Sequence, residues 1–115
     1  MAGRREVGET LVNATVRRDV KKLRQLLEKR QVPVKKIIIF GSHARNLATP
    51  SSDIDLCVVC NSKMTADPKE LQSHINCDAG LAGLNMDIVV TTVADLRTNR
   101  VSPILHEIRT YGIEI

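Results

Sequence analysis

Two carboxylates lead straight into an unbroken apolar run: Asp53-Ile54-Asp55 opens Leu56-Cys57-Val58-Val59-Cys60. An apolar, β-branched run without polar alternation reads as a strand buried on both faces. Such a strand needs other elements packed above and below it, while two charges stand at one of its ends. Two further runs share its character, residues 35–40, apolar from Ile37 onward, and residues 85–91. Between and around these runs the periodicity is helical.

Residues 7–30 predict one long amphipathic helix, with Val12, Val16, Val20, Leu23 and Leu27 on one face. The pattern ends before Pro33, since the residue preceding a proline is biased toward an extended backbone. Gly41-Ser42 closes the first strand, with a short helical turn expected through Ala44 and Arg45, and residues 46–52 are turn-rich loop. Asp67-Pro68-Lys69-Glu70 predicts a helix start with Asp67 as N-cap, Pro68 at the first position and Glu70 closing a capping box. Leu71, Ile75, Ala79 and Ala82 supply that helix's inner stripe, and Gly80 or Gly83 its stop. Thr92 with Asp95 opens a short helix, and Ser102-Pro103 opens the last one, with Ile104, Leu105, Ile108 and Tyr111 expected to face inward. The element order predicts an α/β (α+β) chain with a three-stranded sheet and packed helices. Residues 1–115 are expected to form one domain: the N-terminal helix, a sheet core over 35–91 and C-terminal helices over 92–115. Exposed sheet edges would leave room for a partner or a homo-oligomer.

Charge is unevenly placed. Residues 1–36 hold eleven Lys and Arg against four Asp and Glu, and the remainder holds six against nine. The basic helix reads either as a solvated face or as an electrostatic dock for an acidic protein or RNA. With only Phe40 and Tyr111 as aromatics, a stacking platform for single-stranded nucleic acid is disfavoured. No apolar run reaches the length of a membrane span, and no signal-peptide core follows the N-terminal arginines, so a cytoplasmic protein is expected. Cys57 and Cys60 have the spacing of zinc or redox pairs. The chain has only three cysteines, though, and the pair sits inside a strand, which favours the reading as small apolar residues. His43, expected in an exposed loop, and His74 and His106, on helices, have no metal-ligand spacing.

The chemistry lies in Phe40-Gly41-Ser42 and Asp53-Ile54-Asp55. On a strand, residues i and i+2 point to the same face with Cα atoms about 6–7 Å apart. Two such carboxylates repel unless a cation sits between them, and Mg²⁺ is characteristically held by one or two carboxylates plus substrate phosphates. Gly41 lets the backbone turn and a phosphate approach, and Ser42 at the start of a helical turn offers N–H groups and a hydroxyl to an anion. Arg45 is placed to pair with a phosphate or with the acidic end of the loop, or else only braces the loop. The chain has no Walker loop. A charge entering an apolar strand is costly unless paired or metal-bound. Asp87, at the head of the third run, therefore completes a three-carboxylate cluster if that strand lies beside the second. In two-metal phosphoryl transfer one ion activates the attacking hydroxyl and the other steadies the leaving pyrophosphate. Asp53 and Asp55 are expected to share the ions, and Asp87 to serve the nucleophile side and help take up its proton.

Phe40-Gly41-Ser42-His43-Ala44-Arg45 followed by Ser52-Asp53-Ile54-Asp55-Leu56 resembles the signature of the DNA polymerase β-type nucleotidyltransferase superfamily. It is most similar to the minimal nucleotidyltransferase (MNT) proteins paired with HEPN-domain toxins. The resemblance runs from about Ile37 to Asp87, and the segment from Ser102 to Ile108 shares it. It departs at Asn46-Leu47-Ala48, where relatives often carry glycine and charged residues. The resemblance implies a mixed sheet, two Mg²⁺ ions held by Asp53, Asp55 and Asp87, and an NTP held at Gly41 and Ser42. It also implies an antitoxin that transfers AMP from ATP to a hydroxyl of its HEPN toxin. The other readings are an enzyme modifying a small molecule such as an aminoglycoside, and a non-catalytic module that silences a toxin by contact.

Overall fold

The computed structural model describes residues 14–49 and 52–115. Helix α1, Ala14–Lys29, buries Val16, Val20, Leu23 and Leu27, the stripe read from the sequence. The expected first turns of that helix, Val12 included, and the loop residues Pro50 and Ser51 lie outside the described residues. The helix ends in a left-handed turn rather than by the constraint of Pro33 alone. Gln31 takes φ 58°, Val32 N–H donates to Leu27 O at 3.0 Å and Gln31 N–H to Glu28 O at 2.9 Å. This is a Schellman motif, with Val32 packed on the core that contains Leu27.

Strand β1, Val34–Phe40, then runs into the short helix α2, Gly41–Ala44. Strand β2 is Ile54–Cys60, helix α3 Pro68–Leu81 and strand β3 Met86–Thr92. Helices α4, Val93–Thr98, and α5, Pro103–Tyr111, precede a last strand β4, Ile113–Glu114. The sheet has four strands, in the order β3-β2-β1-β4, rather than three. It is mixed: β1 is antiparallel to β2 and to β4, while β2 and β3 are parallel. The additional strand has two residues, too short for an alternation to be visible. It forms because the chain reverses at Gly112, bringing Ile113 beside Ile39 and Glu114 beside Ile38.

Both faces of the sheet are covered, as the unbroken apolar run requires. One face carries Ile37, Ile39, Leu56, Val58, Ile88 and Val90 beneath α1 and α3. The other carries Ile38, Phe40, Cys57 and Val59, met by Leu96 of α4 and by Leu105 and Ile108 of α5. Two expected inner residues of α5 lie outside this contact: Ile104 and Tyr111 are 44% and 47% exposed. Leu105 and Ile108 alone make the stripe, and residues 104 and 111, seven apart, lie on a neighbouring face of the helix.

Helix α3 starts as read, with the Asp67 carboxylate accepting from Lys69 N–H at 3.2 Å. Among the described residues Glu70 does not return the bond, so the cap is single rather than a box. Gly83, at φ 78°, provides the stop, and Ala82 is exposed rather than part of the inner stripe. The outer edge of β3 is not open. Ile88 N–H donates to Asn76 Oδ1 at 3.0 Å, Asn76 Nδ2 donates to Ile88 O at 2.8 Å, and Val90 N–H donates to Gln72 Oε1 at 2.9 Å. Side chains of α3 thus take the ladder positions that another strand would use.

Cys57 and Cys60 are buried free thiols in β2 and Cys77 is exposed. Burial, with a smaller contribution from Cys60, pushes the Cys57 thiol up to about 12. That is the behaviour of a packing residue rather than of a thiolate ligand. Among the described residues no helix is long and apolar enough to cross a membrane.

Candidate active site

The sheet register brings the sequence motifs together. Phe40, the last residue of β1, is the cross-strand partner of Asp55, and Asp55 is in turn level with Asp87 across the parallel β2–β3 ladder. Residues level with one another on neighbouring strands share a face. Phe40 belongs to the face covered by α4 and α5, so Asp55 and Asp87 point to that face too. Asp53 immediately precedes β2, and its charge acts on Asp55. Ile54 points the other way into the α1/α3 core, as expected.

Gly41 is required here for a reason more specific than turning. It takes φ 68°, and a Cβ at this position would collide with Asp55 Oδ2. The end of β1 therefore presents bare backbone to a carboxylate, and the first turn of α2 follows at once. Phe40 is the N-cap of α2 and contributes no side-chain cap, so the first N–H groups of α2 find no acceptor from it. Ser42 is half-buried within that turn, and its carbonyl accepts from Leu47 N–H at 2.8 Å. Asn46, in the segment that departs from the family pattern, adopts φ 58°, a conformation asparagine tolerates better than most residues. The loop closes where Thr49 N–H donates to Ser52 Oγ at 2.8 Å and Ser52 N–H to Thr49 O at 3.0 Å.

His43 is half-buried rather than exposed, with Nε2 3.4 Å from Ser52 O; it packs the turn against the approach to the aspartates. Arg45 follows α2 with its guanidinium carbon 4.4 Å from the centroid of the Tyr111 ring.

Asp87 and Asp53 are exposed, so the desolvation argument applied to Asp87 does not hold for it. It holds for Asp55, which is half-buried. Burial pushes the Asp55 carboxyl above the usual carboxylate range, followed by the negative charges of Asp87, Glu107 and Asp53; His43 pulls it back. Three of these four neighbours are the motif residues and their loop histidine. Glu107, from α5, was missed, because nothing in the sequence gives the direction in which α5 lies across the sheet.

The donor set is made of hard carboxylate oxygens, and it fits a hard divalent cation such as Mg²⁺. The unbalanced negative charge around Asp55 has the same implication. Among the described residues no three His, Cys, Asp or Glu side chains converge as a ready-made metal cage. One or two carboxylates completed by substrate phosphates is the coordination Mg²⁺ characteristically adopts.

In overall structure the chain is similar to a candidate nucleotidyltransferase from Sulfolobus solfataricus, with a TM-score of 0.60 and 16% identity over 92% of this chain and 86% of that one. It is also similar to a chain of a toxin–antitoxin crystal structure with AMP-PNP, with a TM-score of 0.56 and 23% identity over 84% of this chain and 69% of that one. At such identities these likenesses establish the fold. The sequence has no match among curated proteins. Residues 20–111 match the nucleotidyltransferase domain family, a span that runs from mid-α1 to the end of α5 and takes in all three aspartates, and the chain belongs to that family.

Proposed function

We propose that this chain is a Mg²⁺-dependent nucleotidyltransferase that moves AMP from ATP to a hydroxyl of a protein partner, the HEPN-domain toxin of a toxin–antitoxin pair. The observation that carries the reaction type is the register Phe40–Asp55–Asp87. It sets the Gly41 turn beside Asp55 and Asp87 at one end of the sheet, with Asp53 just before β2, an arrangement that supports a phosphate subsite next to a cation site. Membership of the nucleotidyltransferase domain family supports the same reading. The partner rests on the family resemblance in the sequence and on the fold shared with a chain of a toxin–antitoxin structure.

In this reading Asp53 and Asp55 hold the cation, and Asp87 lies on the side from which the acceptor hydroxyl arrives. Bound Mg²⁺ would neutralise phosphate charge and ease loss of the hydroxyl proton. Gly41 and Ser42 hold the triphosphate through backbone N–H groups, the glycine because a side chain there would take the space of Asp55. The acceptor oxygen forms a bond to the α-phosphorus while the bond to the bridging oxygen breaks and pyrophosphate departs. Asp87 helps take up the proton. Arg45, held on Tyr111, stiffens the turn that carries the N–H groups.

The test is labelling of a co-expressed HEPN partner by ATP carrying label on the α-phosphate. Mg²⁺-dependent labelling is expected with the natural sequence and its loss with Asp53→Asn together with Asp55→Asn. Turnover of an aminoglycoside with no labelling of the partner would replace the protein acceptor by a small molecule. Silencing of the toxin by the unlabelling double variant would replace transfer by contact.

A further inference from the structure

Helix α5 brings a fourth carboxylate to the face that carries the aspartates. It lays Leu105 and Ile108 against Ile38, Phe40 and Cys57, and Phe40 is the direct cross-strand partner of Asp55. Glu107 immediately precedes Ile108 in this helix and lies one turn before Tyr111, four residues on, whose ring carries Arg45 from the end of α2. It is therefore directed toward the junction of α2 with the carboxylate end of the sheet. Glu107 is half-buried, and among the described residues it makes no ion pair and no side-chain hydrogen bond. Folding alone gives no reason to bring an unpartnered carboxylate there, since carboxylates of like charge repel. The Glu107 charge reaches Asp55 and acts on it in the same sense as Asp87 and Asp53.

We propose that Glu107 is a positioning residue of the cation site, an outer carboxylate on α5 that deepens the negative potential over Asp53, Asp55 and Asp87 and so tightens divalent-cation binding. The inference rests on the reading of Asp53 and Asp55 as cation-holding residues. Glu107 need not touch the ion. Its charge lowers the energy of a cation held by the strand residues and is offset once that cation is present.

The test is direct titration with Mn²⁺, followed by the electron paramagnetic resonance signal of the free ion, together with the thermal midpoint of the metal-free protein. Four proteins are compared: the natural sequence, Glu107→Gln, Glu107→Asp and Asp55→Asn. The expected result is about fivefold weaker Mn²⁺ binding for Glu107→Gln, near-natural binding for Glu107→Asp, and a metal-free midpoint for Glu107→Gln equal to or above the natural one. A residue serving only the packing of α5 would lower the midpoint and leave the binding constant unchanged, and that result overturns the proposal. Natural binding by Glu107→Gln alongside lost binding by Asp55→Asn overturns the role of Glu107 alone. Equal binding by all four proteins overturns the cation-site reading together with it.

Discussion

At the scale of single residues, the bare backbone of Gly41 makes room for the carboxylate of Asp55. Gly41 combines φ 68° with a missing Cβ where Asp55 Oδ2 stands. Gly41→Ala therefore combines a left-handed backbone strain of about 1–2 kcal/mol with displacement of the carboxylate. The expected outcome is a soluble protein whose nucleotidyl transfer falls by about 100-fold, the effect of a misplacement near 1 Å in a reacting site, read from initial rates at saturating ATP. Asp55 itself opposes folding when no cation is present. Its folded pKa is raised by burial and by Asp87, Glu107 and Asp53, so the folded state holds the proton more tightly than the unfolded chain, whose value is about 3.9. The stability this supplies is complete below the unfolded value and is lost as pH rises through the folded one. In denaturant titrations with a chelator present, Asp55→Asn should therefore gain on the natural sequence as pH rises from about 4 and level off above the folded value of Asp55. A gap that stays flat or narrows with pH contradicts the electrostatic picture of the site. The sequence made Asp53, Asp55 and Gly41 legible because their significance is local, a two-residue alternation and a glycine at a strand end. Glu107 and the half-buried His43 were not legible, because their positions depend on how α5 and α2 pack.

At the scale of elements, the three long strands, α1, α3 and the caps of α4 and α5 could be read from periodicity and from Thr92, Ser102 and Asp67. The strand β4 could not, since two residues carry no period and owe their pairing to Gly112. The same limit applies to the inner face of α5, where four apolar residues competed and only Leu105 and Ile108 meet the sheet. The edge of β3 was expected to be open, and polar side chains of α3 close it. Asn76 matters most there, because its amide answers both the N–H and the carbonyl of Ile88. Asn76→Ala is expected to lower stability by about 2 kcal/mol, measured by denaturant unfolding, and to promote self-association through the freed edge. Unchanged stability and a monodisperse variant would mean that water replaces the amide without cost.

At the scale of the whole molecule, one end of the mixed sheet gathers chemistry from strands that are distant in sequence. The pairing of β2 with β3 brings Asp87 level with Asp55, and that parallel register is the step the sequence could state only as a condition. The apolar runs foretold the covered faces, because an unbroken hydrophobic strand requires packing on both sides. The acceptor is less directly written, since surface chemistry for a partner leaves no period in the chain. The central claim concerns the bond that is broken, between the α-phosphorus and the bridging oxygen. The most direct measurement incubates protein and partner with Mg²⁺ and ATP labelled either at the α- or at the γ-phosphate. The predicted result is α-label on the acceptor, γ-label only in released pyrophosphate, and neither with Asp53→Asn together with Asp55→Asn. Transfer of γ-label to the acceptor, or undiminished α-label transfer by the double variant, would contradict the account.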